Sequence, residues 1–350
     1  MKPSQIVAQL QDRQPLSDKQ TEWFAESLID GSLTDAEKAD LLRALSAKGE
    51  TVQEIVGFVK CFLRHAIHPA LDLDYLGPAI DVCGTGGDRM DLFNISTTSM
   101  FILAAGGAVV VKHGNRGITS KSGGADVLEA LGIRIDMRPE NFVACVEETG
   151  IGFMFAPNYH PAFKAIAPLR RQLAAEGVRT IFNLIGPLLN PVQPLYQLVG
   201  VASARLPGMY AEILAELGRV KAWVVHGTAG PDRGMDEFST IGPSHVAEVE
   251  FGQFRHFTVR PEDFGMNPVA VEDIRGGDAT ENARILRGVL SGEIQGARRD
   301  IVLLNAAAGF MVTAQSMTWE NALAMAREMI DSGQAMRALT AVQEFCRRLA

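Results

Sequence analysis

Apolar residues in the first 70 positions recur at helical spacing. Ser17 precedes Trp23, Phe24, Leu28 and Ile29, and Thr34 stands three residues before Glu37 with Leu41, Leu42 and Leu45 behind it. A hydroxyl residue followed at that distance by a glutamate is the capping-box signature of a helix start. A further run over 52–65 follows Gly49. Short helices on short links predict a small helical domain.

At Leu76-Gly77-Pro78 the period changes. The runs 79–82, 108–111, 152–155, 197–201 and 222–225 are short and apolar, as buried strands are, and the first ends in a glycine cluster. Segments 126–131, 209–217 and 279–290 have helical spacing, so the alternation predicts an α/β fold with a mostly parallel central sheet. Residues 246–259 alternate like an antiparallel hairpin, and helices close the chain. Residues 161–189 return to helix-like sequence and are predicted to fold back on the N-terminal helices. The expected division is therefore a helical domain over 1–74, completed by about 162–190, and a larger α/β domain over 75–161 and 191–350.

Composition narrows the function. With 350 residues, 47% of them hydrophobic, the chain suits a globular protein of two domains. Its formal charge of −8 argues against broad nucleic-acid or membrane-surface binding, which needs a positive field. The start, MKPSQIVAQLQDRQ, lacks the pattern of a secretory leader, and the most apolar stretch, 100–111, is too short to span a bilayer. Cys61, Cys83, Cys145 and Cys346 lie far apart, which suits free thiols in a reduced, cytoplasmic setting.

The candidate chemistry sits at strand ends. Gly84-Thr85-Gly86-Gly87-Asp88 directly follows the 79–82 run, and Asn94-Ile95-Ser96-Thr97 opens the next helix. Glycines let backbone N–H groups turn toward an anion, and a helix N-terminus adds N–H groups and a favourable dipole. The same residues also read as a plain strand-to-helix connection with Asn94 as its N-cap. Arg89 stands where a dinucleotide fingerprint needs its third glycine, and no Gly-Lys-Ser/Thr follows, so neither common phosphate loop is present. A second cluster, Lys112-His113-Gly114-Asn115-Arg116-Gly117 with Ser120, Ser122, Gly123, Gly124 and Asp126, again lies between strand and helix. Two such connections in one sheet predict a ligand at its carboxyl edge.

Asp236-Glu237, beyond the 222–225 strand, offers hard oxygen ligands suited to Mg²⁺ or, alternatively, a charged surface loop. Of Arg170 and Arg171 on a helix, at most one faces a cleft. His65, His68, His245 and His256 show no metal-ligand spacing, so no zinc site is expected.

The ordered set GTGGD, FNIST, KHGNR…SKSGGADVLEALG, FAPNYHPAF, RTIFNLIGPLLNP, MDE and GG…ENARIL resembles the anthranilate phosphoribosyltransferase family over nearly the whole chain. The resemblance implies a small helical domain hinged to a larger α/β domain, a homodimer through the helical domains, and transfer of phosphoribose from phosphoribosyl pyrophosphate to anthranilate in tryptophan biosynthesis. It places Gly84, Gly87 and Asp88 against the donor, and Asn94, Ile95, Ser96 and Thr97 on its phosphates. Lys112, Gly114, Arg116, Ser120 and Gly124 complete that pocket, with Ser96 at one magnesium ion and Asp236 and Glu237 at a second. Gly84, His113, Asn115 and Arg170 line the acceptor side, Arg170 facing the carboxylate. Departures from the family pattern are Leu92, Gly124, an apparent insertion at 174–176 and an added loop over 228–233. A pyrimidine-nucleoside phosphorylase, a non-catalytic nucleic-acid-binding relative and a transferase for another aromatic amine are the alternatives.

Overall fold

Capping boxes at Ser17, Thr34 and Thr51 start three of the four N-terminal helices, and the one at Thr34 is marked in the sequence. The computed structural model describes residues 1–117, 121–230, 233–314 and 316–349, and these form two compact units. The first comprises Met1–His68 and Ala156–Pro191; the second comprises Pro69–Phe155 and Val192–Ala350. The sequence places these joints at 74/75, about 161/162 and about 190/191.

In the first unit, helices Pro3–Gln11, Asp18–Ile29, Asp35–Lys48 and Val52–Arg64 are joined by Phe163–Ala175. Glu54 shows how local and tertiary roles combine. Its Oε2 accepts the Thr51 N–H at 2.8 Å, closing a capping box, and lies 2.8 Å from Lys48 Nζ. Its Oε1 accepts the Leu16 N–H at 2.8 Å, so this fully buried carboxylate is paired on every side. The returning segment belongs here because of its aromatic residues. Phe163 meets Phe62 edge-on at 4.9 Å and Phe182 stacks on Phe62 at 5.8 Å, extending the Phe24–Phe58–Phe62 row.

The second unit is built on an eight-stranded sheet: β1 (Ala79–Gly84), β2 (Val109–Gly114), β3 (Ile151–Phe155), β4 (Tyr196–Gly200), β5 (Lys221–Thr228), β6 (Gly234–Met235), β7 (Ser244–Glu250) and β8 (Gln253–Val259). The order is β3-β2-β1-β4-β5-β7-β8, with β6 on β5. The first five strands run parallel, and β6, β7 and β8 pair antiparallel. The β7–β8 hairpin turns at Phe251 and Gly252, both at positive φ (48° and 75°), as a two-residue hairpin requires.

Helix Ala297–Thr313 is apolar nearly all round and buried accordingly. A Cβ on Gly309 would come within 2.7 Å of Leu103 in helix Ile95–Ala105, so the glycine is what allows that close approach. Helix Pro139–Thr149, unforeseen in the sequence, starts at a proline in N1 and buries Phe142, Cys145 and Val146. The four cysteines are buried free thiols. Among the described residues no helix is long and apolar enough to cross a membrane.

Candidate functional site at the sheet's switch point

From β1 the chain moves outward to β2 and β3, then returns to lay β4 on the other side of β1. The order reverses between β1 and β4, the place where open α/β sheets bind ligands. The last residues of these strands, Gly84 and Gly200, are register partners. Both are glycine for one steric reason. A Cβ on Gly84 would stand 2.2 Å from Asp236 Oδ2, and one on Gly200 would stand 1.6 Å from the Asp236 carbonyl oxygen. The segment after β6 thus crosses the switch point at Asp236-Glu237. Asn305 fixes it there: its Oδ1 accepts the Phe238 N–H at 2.9 Å and its Nδ2 donates to the Phe238 carbonyl at 3.0 Å.

Three carboxyl groups converge here. Asp236 Oδ2 accepts the Gly86 N–H at 2.7 Å, and Glu237 Oε1 accepts the Ser96 N–H at 3.2 Å at the start of helix Ile95–Ala105. Burial and the adjacent Asp88 push Asp236 up to about 7, despite the Gly86 bond. Burial and Asp236 push Glu237 up to about 8, against the opposing pull of Lys112 and the Ser96 N–H. Asp88 is itself raised by burial. Converging hard oxygens that are costly to ionise together fit a divalent cation such as Mg²⁺, whose charge would reverse that cost.

Lys112, buried on β2, aims its ammonium across the end of β1. Nζ donates to the Val82 carbonyl and to Ser96 Oγ, the latter at 3.1 Å. Lys112, Ser96 and Glu237 therefore meet at one helix N-terminus. Asn94 stands in the N-cap position but makes no capping bond. Its Nδ2 donates to the Ser122 carbonyl at 3.3 Å and its Oδ1 accepts from Asn282 Nδ2 at 3.0 Å. The plain N-cap reading of Asn94 is thus replaced by a bridging one.

The second glycine-rich loop is held by its own helix. Asp126 Oδ2 accepts the N–H groups of Gly117 and Gly123 at 2.9 and 2.8 Å. Burial raises the Asp126 carboxyl, but those N–H groups and Arg116 outweigh it and hold it below the usual carboxylate range. A Cβ on Gly123 would come within 2.3 Å of Gly117 N, so the loop can recross itself only at glycine. Arg116 is tied to Asp126 and Glu129 and lies over the Phe155 ring at 5.5 Å. Asn115 is exposed and its Oδ1 accepts the Arg116 N–H.

Other predicted residues are placed as follows. Gly87 is exposed at φ 94°, the Ile95 side chain is in the core, and Thr97 is buried. The His113 N–H donates to Asp81 Oδ1 at 3.3 Å. Gly114 abuts the Phe153 ring, and a Cβ on Gly124 would lie 3.0 Å from Thr97 Oγ1. Ser120 lies outside the described residues, as does the tip of the loop over 228–233, whose flanks pair as β5 and β6. Leu92 bridges to Arg275 and packs on the core, and Ala174 and Ala175 form the last turn of helix Phe163–Ala175. Arg170, in the helical unit, lies over the Phe182 ring at 4.7 Å, and burial lowers its pKa.

Three contributors escape sequence reasoning: Gly200, Asn282 and Asn305. Asn305 left a signal, being the one strongly polar residue in the run LLNAAAGF. The helical unit also holds a grouping that the sequence did not single out. Glu26, Cys61 and His65 place ligand atoms within 4.8 Å of one another, a proximity that sequence spacing concealed. Both Glu26 oxygens are already engaged, by Arg64 at 3.2 Å and His65 at 2.8 Å, and Arg64 opposes a cation there.

The helical unit and the α/β unit correspond to the two domains of a glycosyl transferase family. Residues 4–66 match the family described as glycosyl transferase family, helical bundle domain, and residues 76–336 match its a/b domain. The anthranilate phosphoribosyltransferase of Rubrobacter xylanophilus is 44% identical over 337 residues, 96% of this chain and 95% of that protein. The crystal structure of anthranilate phosphoribosyltransferase from Thermus thermophilus is similar at TM-score 0.88 and 36% identity, covering 98% of this chain and 99% of that one. The Saccharomyces cerevisiae enzyme in complex with PRPP and Mg is similar at TM-score 0.87 and 27% identity, covering 99% and 98%. The chain belongs to the anthranilate phosphoribosyltransferase family, which favours neither the phosphorylase nor the nucleic-acid-binding alternative.

Proposed function

We propose that the chain transfers the phosphoribosyl group of phosphoribosyl pyrophosphate to the amine of anthranilate, giving N-(5-phosphoribosyl)anthranilate and pyrophosphate in tryptophan biosynthesis. The observation that carries this reading is the meeting of Lys112, Ser96 and the Asp88–Asp236–Glu237 carboxyls between two glycine-rich loops. Cleavage at C1 of the ribose builds positive charge on the sugar and negative charge on the departing pyrophosphate. Lys112 and the N–H groups of the helix 95–105 start supply fixed positive potential to that leaving group. Two Mg²⁺ ions, one at Ser96 and one at Asp236 and Glu237, would neutralise its charge when bound.

Gly84, Gly87, Asp88, Asn94, Thr97 and Gly124 shape the donor pocket; Asn115, His113 and Arg170 belong to acceptor recognition. No nucleophile or strong base is needed, because an aniline-type amine is neutral at pH 7 and its positioning does most of the work. The reading includes an oxocarbenium-like transition state, inversion at C1, a homodimer through the helical unit and a cytoplasmic place of action.

Mixing the protein with Mg²⁺, phosphoribosyl pyrophosphate and anthranilate tests it directly. Anthranilate fluorescence should fall with release of one pyrophosphate per turnover; phosphate-dependent cleavage of thymidine instead would overturn the assignment. Arg170→Ala should raise the KM for anthranilate about tenfold or more while leaving that for the donor nearly unchanged. Equal effects on both would remove Arg170 from the acceptor side. Sedimentation equilibrium at one chain mass would remove the dimer.

A further inference from the structure

Three amides stand in series between the C-terminal half of the chain and the second glycine-rich loop. The Gly277 N–H, a donor that cannot reverse, points at Asn282 Oδ1 at 2.8 Å. That bond decides which end of the buried Asn282 amide is oxygen, so its Nδ2 faces Asn94 and donates to Oδ1 at 3.0 Å. Asn94 is then oriented in turn, and its Nδ2 donates to the Ser122 carbonyl at 3.3 Å, immediately before Gly123 and Gly124. Reversing either side-chain amide puts oxygen against oxygen at the next step.

The backbone beside this series grips the first loop as well. Gly276 N donates to the Asp91 carbonyl at 2.8 Å, and Leu92 pairs with Arg275 as an isolated antiparallel bridge. Gly276 has no alternative residue: a Cβ there would lie 2.4 Å from Asn282 Oδ1 and 2.7 Å from Phe93 N. The grip holds a loop whose Arg89 and Asp91 have positive φ, 55° and 52°, a conformation costly outside glycine. A second side-chain link between the two loops, Lys121 to Asp91, is exposed and 3.6 Å long, which makes it weak.

We propose that Asn282 is a positioning residue for the phosphorylated donor, acting through Asn94 to fix the two glycine-rich loops relative to each other. It touches no reacting atom. The consequence for substrate rests on the transferase reading above; the consequence for loop order does not.

The test is a double-mutant cycle at Asn94 and Asn282, with two readouts. Asn282→Ala should raise the KM for phosphoribosyl pyrophosphate about tenfold, with the KM for anthranilate changed less than about twofold. In an Asn94→Ala background the same substitution should change the donor KM less than about twofold, because the link it acts through is gone. Additive effects at the two positions would overturn the proposal, as would equal effects on donor and acceptor. Should Asn282→Ala fail to fold, Asn282→Asp carries the same test: it keeps an acceptor for Gly277 and lacks the amide donor for Asn94. The second readout is hydrogen exchange of the substrate-free protein. Asn282→Asp should speed exchange of the Gly123–Asp126 amides, 156 or more positions away in sequence, and unchanged protection there would end the proposal whatever reaction the protein catalyses. A wild-type protein that leaves phosphoribosyl pyrophosphate unconsumed would end the transferase reading alone, since the exchange measurement would still decide the coupling.

Discussion

The two glycine-rich loops look alike in sequence and are held in opposite ways. The second, from Gly114 to Gly124, is tied by residues of the helix it enters: Asp126 gathers the Gly117 and Gly123 N–H groups, and Glu129 binds Arg116. The first, from Gly84 to Asn94, is tied by residues far along the chain, Asp236 at a separation of 150 and Asn282 at 188. The locally held loop takes most of its ties from its own helix and is reached from outside at the Ser122 carbonyl, through Asn94. A remotely held one has its shape only when β4, β5 and the C-terminal helices are in place, which couples the proposed donor site to completion of the sheet.

That contrast can be broken in order of severity. Asp236→Asn with Glu237→Gln strikes the remote side hardest and should lower magnesium-dependent turnover at least about a hundredfold, measured at limiting metal; unchanged turnover would remove the pair from the site. Gly200→Ala drives a methyl group into the Asp236 backbone and should cost about 3 kcal/mol in urea unfolding, with loss of activity in whatever folds.

On the local side, Asp126→Ala removes one carboxylate from two N–H groups and should cost about 1 to 2 kcal/mol, close to the loss of a helix cap. Its pH signature has a definite sign. The folded-state pKa of Asp126 is lowered, so its stabilisation is complete above the unfolded value of about 4 and drains away as pH falls below it. Asp126→Asn should therefore lose stability relative to wild type at pH 7 and converge with it in acid. Lys121→Ala, which removes the exposed Asp91 pair, should change stability by less than about 0.5 kcal/mol; a larger loss would mean the loops are joined at their surfaces.

How much was legible in advance follows the same division. The capping box at Thr34 involves residues three apart, and the structure forms it. The parallel strands also announce themselves, since short apolar runs ending in glycine can hardly be anything else once helical runs separate them. The C-terminal helices were harder to delimit. Apolar residues cover most of the surface of Ala297–Thr313 and leave no stripe to read there. Asn94 was legible as a candidate site residue through its motif, whereas its bridging role depends on Asn282, which no spacing rule connects to it.

The helix starts of the helical unit, the α/β alternation, the two glycine-rich loops and the acidic pair are legible without the fold, because each is written in residues within a few positions of one another. Only the tertiary structure decided that Gly84 and Gly200 end neighbouring strands, that Asp236 crosses between them, and that Asn282 orients Asn94. Those relations come from strand order, and strand order is settled by packing across the whole sheet rather than by any local preference.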